Sequence, residues 1–268
     1  MPSLVIPTPD TPNPWQRKAT LSLLAMSALL SLASVASAQC EGGGCCATDY
    51  ECGYREFCEN DCTCTYASPI IIDTTGEGFH LTSAEDGVFF DIAGDGKPIR
   101  IAWTAANSHN AFLALDRNHN GKIDSGKELF GNFTAQPKSD DRNGFLALAE
   151  FDKPENGGNG DGIIDKRDDV FPHLLLWIDE NHDGVSQPNE LHTLPELGVY
   201  SISLHHRDDR HFFDDYGNWF HYYAALNPDP RDGESKDGRL TYDVFFMTAG
   251  PHNQSVRPSP SAYTLPPK

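Results

Sequence analysis

Residues 179–190 read DENHDGVSQPNE and fit the calcium-loop pattern D-x-[DN]-x-[DN]-G-x5-E at every specified position. Ca²⁺ is a hard cation that takes six to eight oxygens, so one short loop must turn carboxylates, amides and a backbone carbonyl toward a single point. Asp179, Asn181 and Asp183 occupy loop positions 1, 3 and 5, and Gly184 allows the sharp turn at position 6. Val185 offers its carbonyl at position 7, Gln187 stands at position 9 and Glu190 closes the shell at position 12. An ordinary Asp/Asn/Gly turn has no need of a glutamate twelve residues in.

Two further stretches read as variants of this loop. In DRNHNGKIDSGKELFG, Asp116, Asn118, Asn120, Gly121 and Asp124 stand at positions 1, 3, 5, 6 and 9, with the Lys122 carbonyl at position 7 and Ile123 as the apolar residue at position 8. Position 12 is Lys127, so the closing acid, Glu128, comes one residue late. In DKPENGGNGDGIIDKRDD, counting back from Asp168 as position 12 gives Asp165 at 9, the Ile163 carbonyl at 7, Gly162 at 6, Asp161 at 5 and Asn159 at 3. Position 1 would then be Gly157, so Asp152 is expected to supply that ligand with residues 153–157 looped out. Asp73 with Thr75 and Glu77, and Asp91 with Asp95, read equally well as hairpin turns or degenerate sites.

The chain has 268 residues and a net charge of −19, which speaks against a nucleic-acid surface or a basic membrane-binding helix. Arg17 and Lys18, an apolar run from Leu21 to about Val35, and Ala36-Ser37-Ala38 have the order of a secretory signal peptide. Cleavage after Ala38 and an extracellular or periplasmic location are expected, with no membrane span in the mature chain. Residues 39–68 then form a cysteine-rich segment and linker. All seven cysteines fall between Cys40 and Cys64, a density that points to disulfides in an oxidising compartment, and the absence of C-x-x-C pairs disfavours zinc. Seven is odd, and the pairing is not deducible from sequence. Residues 251–268 are Pro/Ser-rich and read as a disordered tail.

Within residues 69–250 the hydrophobic pattern predicts strands at 69–73, 88–91, 99–103, 112–115, 199–204, 219–226 and 240–247. It predicts helices within 142–151 and 189–197, and a short helix running into a strand over 170–178. The expected fold is α+β: EF-hand-like calcium loops with short helices packed on antiparallel strands. His205, His206, His211 and His221 have no metal-ligand spacing and read as exposed strand and loop residues. G-x-S-x-G, H-E-x-x-H and P-loop patterns are absent, so nothing marks an enzyme of those classes.

From about Pro69 to Leu204 the chain resembles the calcium-dependent self-processing module of FrpC-type RTX proteins. PIIIDTTGEGF, LDRNHNGKIDSGKELFG, NGFLALAEFD and LLLWIDENHDGVSQPNELHTLPELGVYSISL carry the likeness. The resemblance implies calcium as the cofactor. It also implies cleavage of an Asp-Pro bond at the module's start, in which the aspartate carboxylate attacks its own peptide carbonyl and the anhydride is captured by a lysine. At the matching place this chain has Ser68-Pro69, and serine cannot form that anhydride. The one Asp-Pro pair, Asp229-Pro230, lies outside the matched stretch. The expectation is a secreted calcium-binding protein, structural or adhesive, with an extracellular protein or cell surface as partner; self-processing is the alternative. Asn132-Phe-Thr and Asn253-Gln-Ser fit the N-glycosylation pattern.

Overall fold

A computed structural model describes residues 57–58, 64–65, 67–139 and 141–249. The signal-peptide stretch, five of the seven cysteines, Asn253 and the C-terminal tail lie outside the described residues. Phe57–Cys58 (β1) and Cys64–Thr65 (β2) pair as a short antiparallel ladder.

The domain is built on a seven-stranded antiparallel sheet. Its members are β3 (Ile70–Asp73), β6 (Asn110–Leu115), β8 (Leu174–Trp177), β9 (Leu191–Thr193), β11 (Arg207–Asp208), β12 (Trp219–Ala225) and β13 (Leu240–Phe245). Their order across the sheet is β11-β12-β13-β3-β6-β8-β9. Beside it lie two small ladders, β4 (Val88–Phe90) with β5 (Ile99–Ile101), and β7 (Ile163–Asp165) with β10 (Ser201–Ser203).

The central strands are nearly continuous apolar runs because both faces of the sheet are covered. Ile70 and Ile72 of β3 point into one core with Leu113, Leu176 and the helix residues Phe145 and Leu148. Ile71, between them, points into the other with Phe112, Trp177, Trp103 and Phe90. This alternation is the strand period of two. Helix α1 (Gly144–Ala149) covers the first face; Asn143 caps it, its Oδ1 accepting the Leu146 N–H (2.9 Å). Only glycine fits at its first position, since a Cβ on Gly144 would stand 2.5 Å from Ile70 Cγ1.

The expected α+β class is corrected by these observations. The fold is mostly β, 31% strand against 9% helical, with α1 as the one α-helix among the described residues. The helix expected over 189–197 is instead β9 followed by a 3-10 turn, Leu194–Leu197, with Pro195 in its first turn. Thr193 and Glu196 supply a capping box there, so the start signal was real, but Gly198 stops the element after one turn. The loops opening at Asp116 and Asp179 are therefore entered from strands β6 and β8, and the one opening at Asp152 from the end of helix α1. Two of the four histidines are also less exposed than expected. His206 stacks on Phe145 (5.3 Å) and His221 stacks on Trp219 (3.7 Å). Among the described residues no helix is long and apolar enough to cross a membrane.

Candidate metal-binding loops

Each of the three loops is held by one repeated pattern of hydrogen bonds. The opening aspartate accepts backbone N–H groups from the turn it encloses. Asp179 Oδ1 and Oδ2 take the N–H of Asp183 (3.1 Å) and Gly184 (2.8 Å). Asp116 does the same with Asn120 (3.1 Å) and Gly121 (2.8 Å). Asp152 takes Gly160 (2.9 Å) and Gly162 (2.8 Å), so it stands where the other two loops have position 1, across the looped-out residues.

The closing acid completes the pattern. Glu190 accepts the N–H of Glu180 (3.2 Å) and Gln187 (3.1 Å). Glu128 accepts those of Arg117 (3.2 Å) and Asp124 (3.0 Å), the same loop positions, although it comes one residue late in sequence. Lys127, displaced from position 12, donates instead to the Gly94 carbonyl of the neighbouring turn. Asp168 accepts Asn159 (3.2 Å) and Asp165 (2.8 Å). Asp73 and Asp91 make the opening half of the pattern, with N–H donors at 2.7–3.1 Å, in turns that have no closing acid.

The loop from Asp179 to Glu190 is fastened to the aromatic core by its two end acids. Trp103 Nε1–H donates to Asp179 Oδ2 (2.7 Å), and Trp177 Nε1–H to Glu190 Oε2 (3.3 Å). The two indoles lie edge to face, 5.5 Å apart. His182, in a left-handed conformation (φ 59°), contacts the carbonyls of Thr104 (2.6 Å) and Asp86 (2.7 Å). This loop and the one beginning at Asp116 meet through their eighth residues: the Ile123 N–H donates to Ser186 Oγ (2.7 Å), and the Ser186 hydroxyl donates to the Ile123 carbonyl (3.1 Å). Among the described residues the third loop has no partner loop. Its eighth residue, Ile164, pairs with Ile202 of β10.

Sequence reading missed Trp103, Trp177, His182 and Ser186. Only Ser186 left a signal, a polar residue where the other two loops carry isoleucine.

Asp179, Glu190 and Glu128 are buried, and none makes an ion pair with a Lys or Arg among the described residues. Burial pushes the Glu128 carboxyl up, and the Asp124 charge adds to this; burial likewise raises Asp168. Buried carboxylates without a counter-charge are costly. Gln187 Oε1, the position 9 oxygen, is buried and has no hydrogen-bond donor. The remaining ligand-type side chains bond to one another, Asn181 Nδ2 and Gln187 Nε2 to Asp183 Oδ2 (3.0 and 2.8 Å) and Asn120 Nδ2 to Asp124 Oδ2 (2.8 Å). In this arrangement no group of three His, Cys, Asp or Glu side chains among the described residues is gathered closely enough to grip a metal. Closing the shell would require these amides to turn their oxygens inward. The all-oxygen donor set suits a hard cation.

The junction before β3 is built differently. Ser68 is buried and locked to Asn132: its N–H donates to Asn132 Oδ1 (3.0 Å), and the Asn132 N–H donates to Ser68 Oγ (3.1 Å). Gly131 leaves room for it, since a Cβ there would lie 1.5 Å from the Ser68 carbonyl oxygen. Asn132 is thus a buried structural residue, which conflicts with its reading as a glycosylation acceptor. Asp243 of β13 lies beside Ser68. Its Oδ2 accepts the Gly144 N–H (2.8 Å), and burial pushes the carboxyl up to about 7 against the lowering pull of the Gly144 N–H and the Ser68 hydroxyl. At the Asp-Pro pair, Arg231 grips the Asp229 carboxylate (2.6 and 2.9 Å) and holds it down at about 2.

The chain is 40% identical over 143 residues to the iron-regulated protein FrpA of Neisseria meningitidis serogroup C, a match covering 52% of this chain and 12% of FrpA. The chain therefore corresponds to a small part of that relative. The family model described as SPM domain matches residues 70–245, from the first residue of β3 to the last of β13, and the chain belongs to the SPM domain family.

Proposed function

We propose that this is an extracellular calcium-binding domain in which Ca²⁺ clamps a β-rich fold. The observation that supports it most is the coupled pair of oxygen-only loops holding buried acids that make no salt bridge among the described residues. Asp179, Asn181, Asp183, the Val185 carbonyl, Gln187 and Glu190 would hold one ion. Asp116, Asn118, Asn120, the Lys122 carbonyl, Asp124 and Glu128 would hold a second. The ion supplies the charge that relieves repulsion among these acids, so its binding energy becomes folding energy.

Extracellular sites of this kind work at roughly 10⁻⁴ to 10⁻³ M Ca²⁺. The secretory leader read in residues 1–38 supports that setting. The biological role that follows is structural or adhesive, toward an extracellular protein or cell surface. Isothermal titration with Ca²⁺ and then Mg²⁺ tests the proposal: two coupled Ca²⁺ sites that discriminate against Mg²⁺ are expected, and no heat with either ion contradicts it.

Self-processing is the second reading, supported by relatedness to FrpA. The chain's own residues weigh against it. Ser68 brings no carboxylate to its peptide bond, and Asp229 is tied to Arg231. The domain keeps the metal clamp without the nucleophile that would make cleavage follow from it.

A further inference from the structure

The third loop differs from the other two in one respect that bears on the ion it takes. In the paired loops, positions 5 and 9 are joined through a neutral amide: Asn120 to Asp124 and Gln187 to Asp183. In the third loop both positions are carboxylates, Asp161 and Asp165, and a cation joins them. Arg167 Nη2 lies 2.6 Å from Asp161 Oδ2 and 2.7 Å from Asp165 Oδ2, and its Nε grips Asp165 at 2.9 and 3.1 Å. The third loop's ligand set has four acids, Asp152, Asp161, Asp165 and Asp168, against three in each of the other two sets.

We propose that Arg167 is a built-in counter-ion of the loop between Asp152 and Asp168, so that this loop is ordered without metal and Ca²⁺ enters it only by displacing the guanidinium. The inference rests on the calcium reading of the paired loops. Arg167 is a planar, permanently charged fork suited to bridging two carboxylates. It stands next in sequence to the closing Asp168, on the exposed side of the loop, so it neutralises the acids at positions 5 and 9 without blocking the hydrogen bonds that Asp152 and Asp168 accept. The unpaired position of this loop fits the same division: it is fastened to strand β10 rather than to a second metal loop, so nothing requires it to fill together with the others.

The test compares wild type with Arg167→Gln, an exposed substitution, by Ca²⁺ titration calorimetry and by amide hydrogen exchange in EGTA. Wild type is expected to take up two ions. The variant is expected to take up a third, or to bind a weak third ion about tenfold more tightly, as ligand charge governs such loops. In EGTA the amides of Asn159, Gly160, Gly162 and Asp165 should be protected in wild type, exchange faster in the variant, and regain protection with Ca²⁺. Equal stoichiometry and affinity in the two proteins, or unchanged protection of these amides in EGTA, overturns the role of Arg167. Absence of Ca²⁺ uptake by both proteins would overturn the calcium reading itself, and the exchange comparison in EGTA would still judge Arg167 on its own.

Discussion

Ser186 and Ile123, 63 residues apart in sequence, exchange two hydrogen bonds through one hydroxyl and so join two acidic loops at the same internal position. Ser186 is buried, so its loss leaves the Ile123 N–H and C=O without partners. An orphaned buried polar group costs about 1–3 kcal/mol. Ser186→Ala is expected to lower unfolding free energy by an amount in that range and to separate the two Ca²⁺ binding steps. Denaturant unfolding and calorimetric titration check this; a variant that binds both ions in one unchanged step would show that the loops act independently.

The indole contacts to Asp179 and Glu190 make tryptophan emission a reporter of this loop. Drawing the two carboxylates toward an ion alters their bonds to Trp103 Nε1 and Trp177 Nε1. Added Ca²⁺ is expected to change fluorescence with the same midpoint as calorimetric binding. Trp103→Phe should remove most of the signal and weaken binding through the loosened Asp179. A spectrum indifferent to Ca²⁺ in a protein that binds it would place the ion elsewhere.

How much of this was visible in the sequence differs by level. The three acidic turns were legible because their opening acids, closing acids and left-handed glycines recur at a set spacing, which survives a late Glu128 and an inserted stretch after Asp152. The strands were legible from apolar alternation, as at Ile70–Asp73. Fold class was not, because LHTLPELG carries authentic helix-start signals and only the pairing of Leu191–Thr193 with β8 decides that it begins as a strand. Coupling through Ser186 and the tryptophan anchors are tertiary contacts between residues with no local signature; the Arg167 bridge is local, reaching Asp161 and Asp165 within one loop, but no motif spacing marks it.

Asp243 sets a pH dependence. Burial raises its carboxyl from the ordinary 3.8 to about 7, so between those values the folded protein holds a proton that the unfolded chain has released. Stability from this group therefore falls as pH rises from about 4 to about 7, by on the order of a few kcal/mol, and is flat above. Asp243→Asn is expected to flatten the profile in that window. Thermal melting from pH 4 to pH 8 in wild type and variant gives the comparison, and parallel curves would count against a buried neutral acid.

The Ser68–Pro69 bond is expected to survive millimolar Ca²⁺. A denaturing gel after prolonged incubation should show the intact chain, with no fragment beginning at Pro69 or at Pro230. Either fragment would mean that a nucleophile other than a carboxylate at residue 68, or Asp229 released from Arg231, performs the cleavage.

The most direct test of the calcium clamp is thermal melting of the whole protein in EGTA and in millimolar Ca²⁺. Ligand at ten times its Kd adds about 1.4 kcal/mol per site, and a domain of this size gains about 2–4 °C per kcal/mol. Two filled loops should therefore raise the midpoint by roughly 6–12 °C at that excess, with about half of the rise lost in Glu190→Gln. An identical midpoint in EGTA and Ca²⁺ would contradict the account.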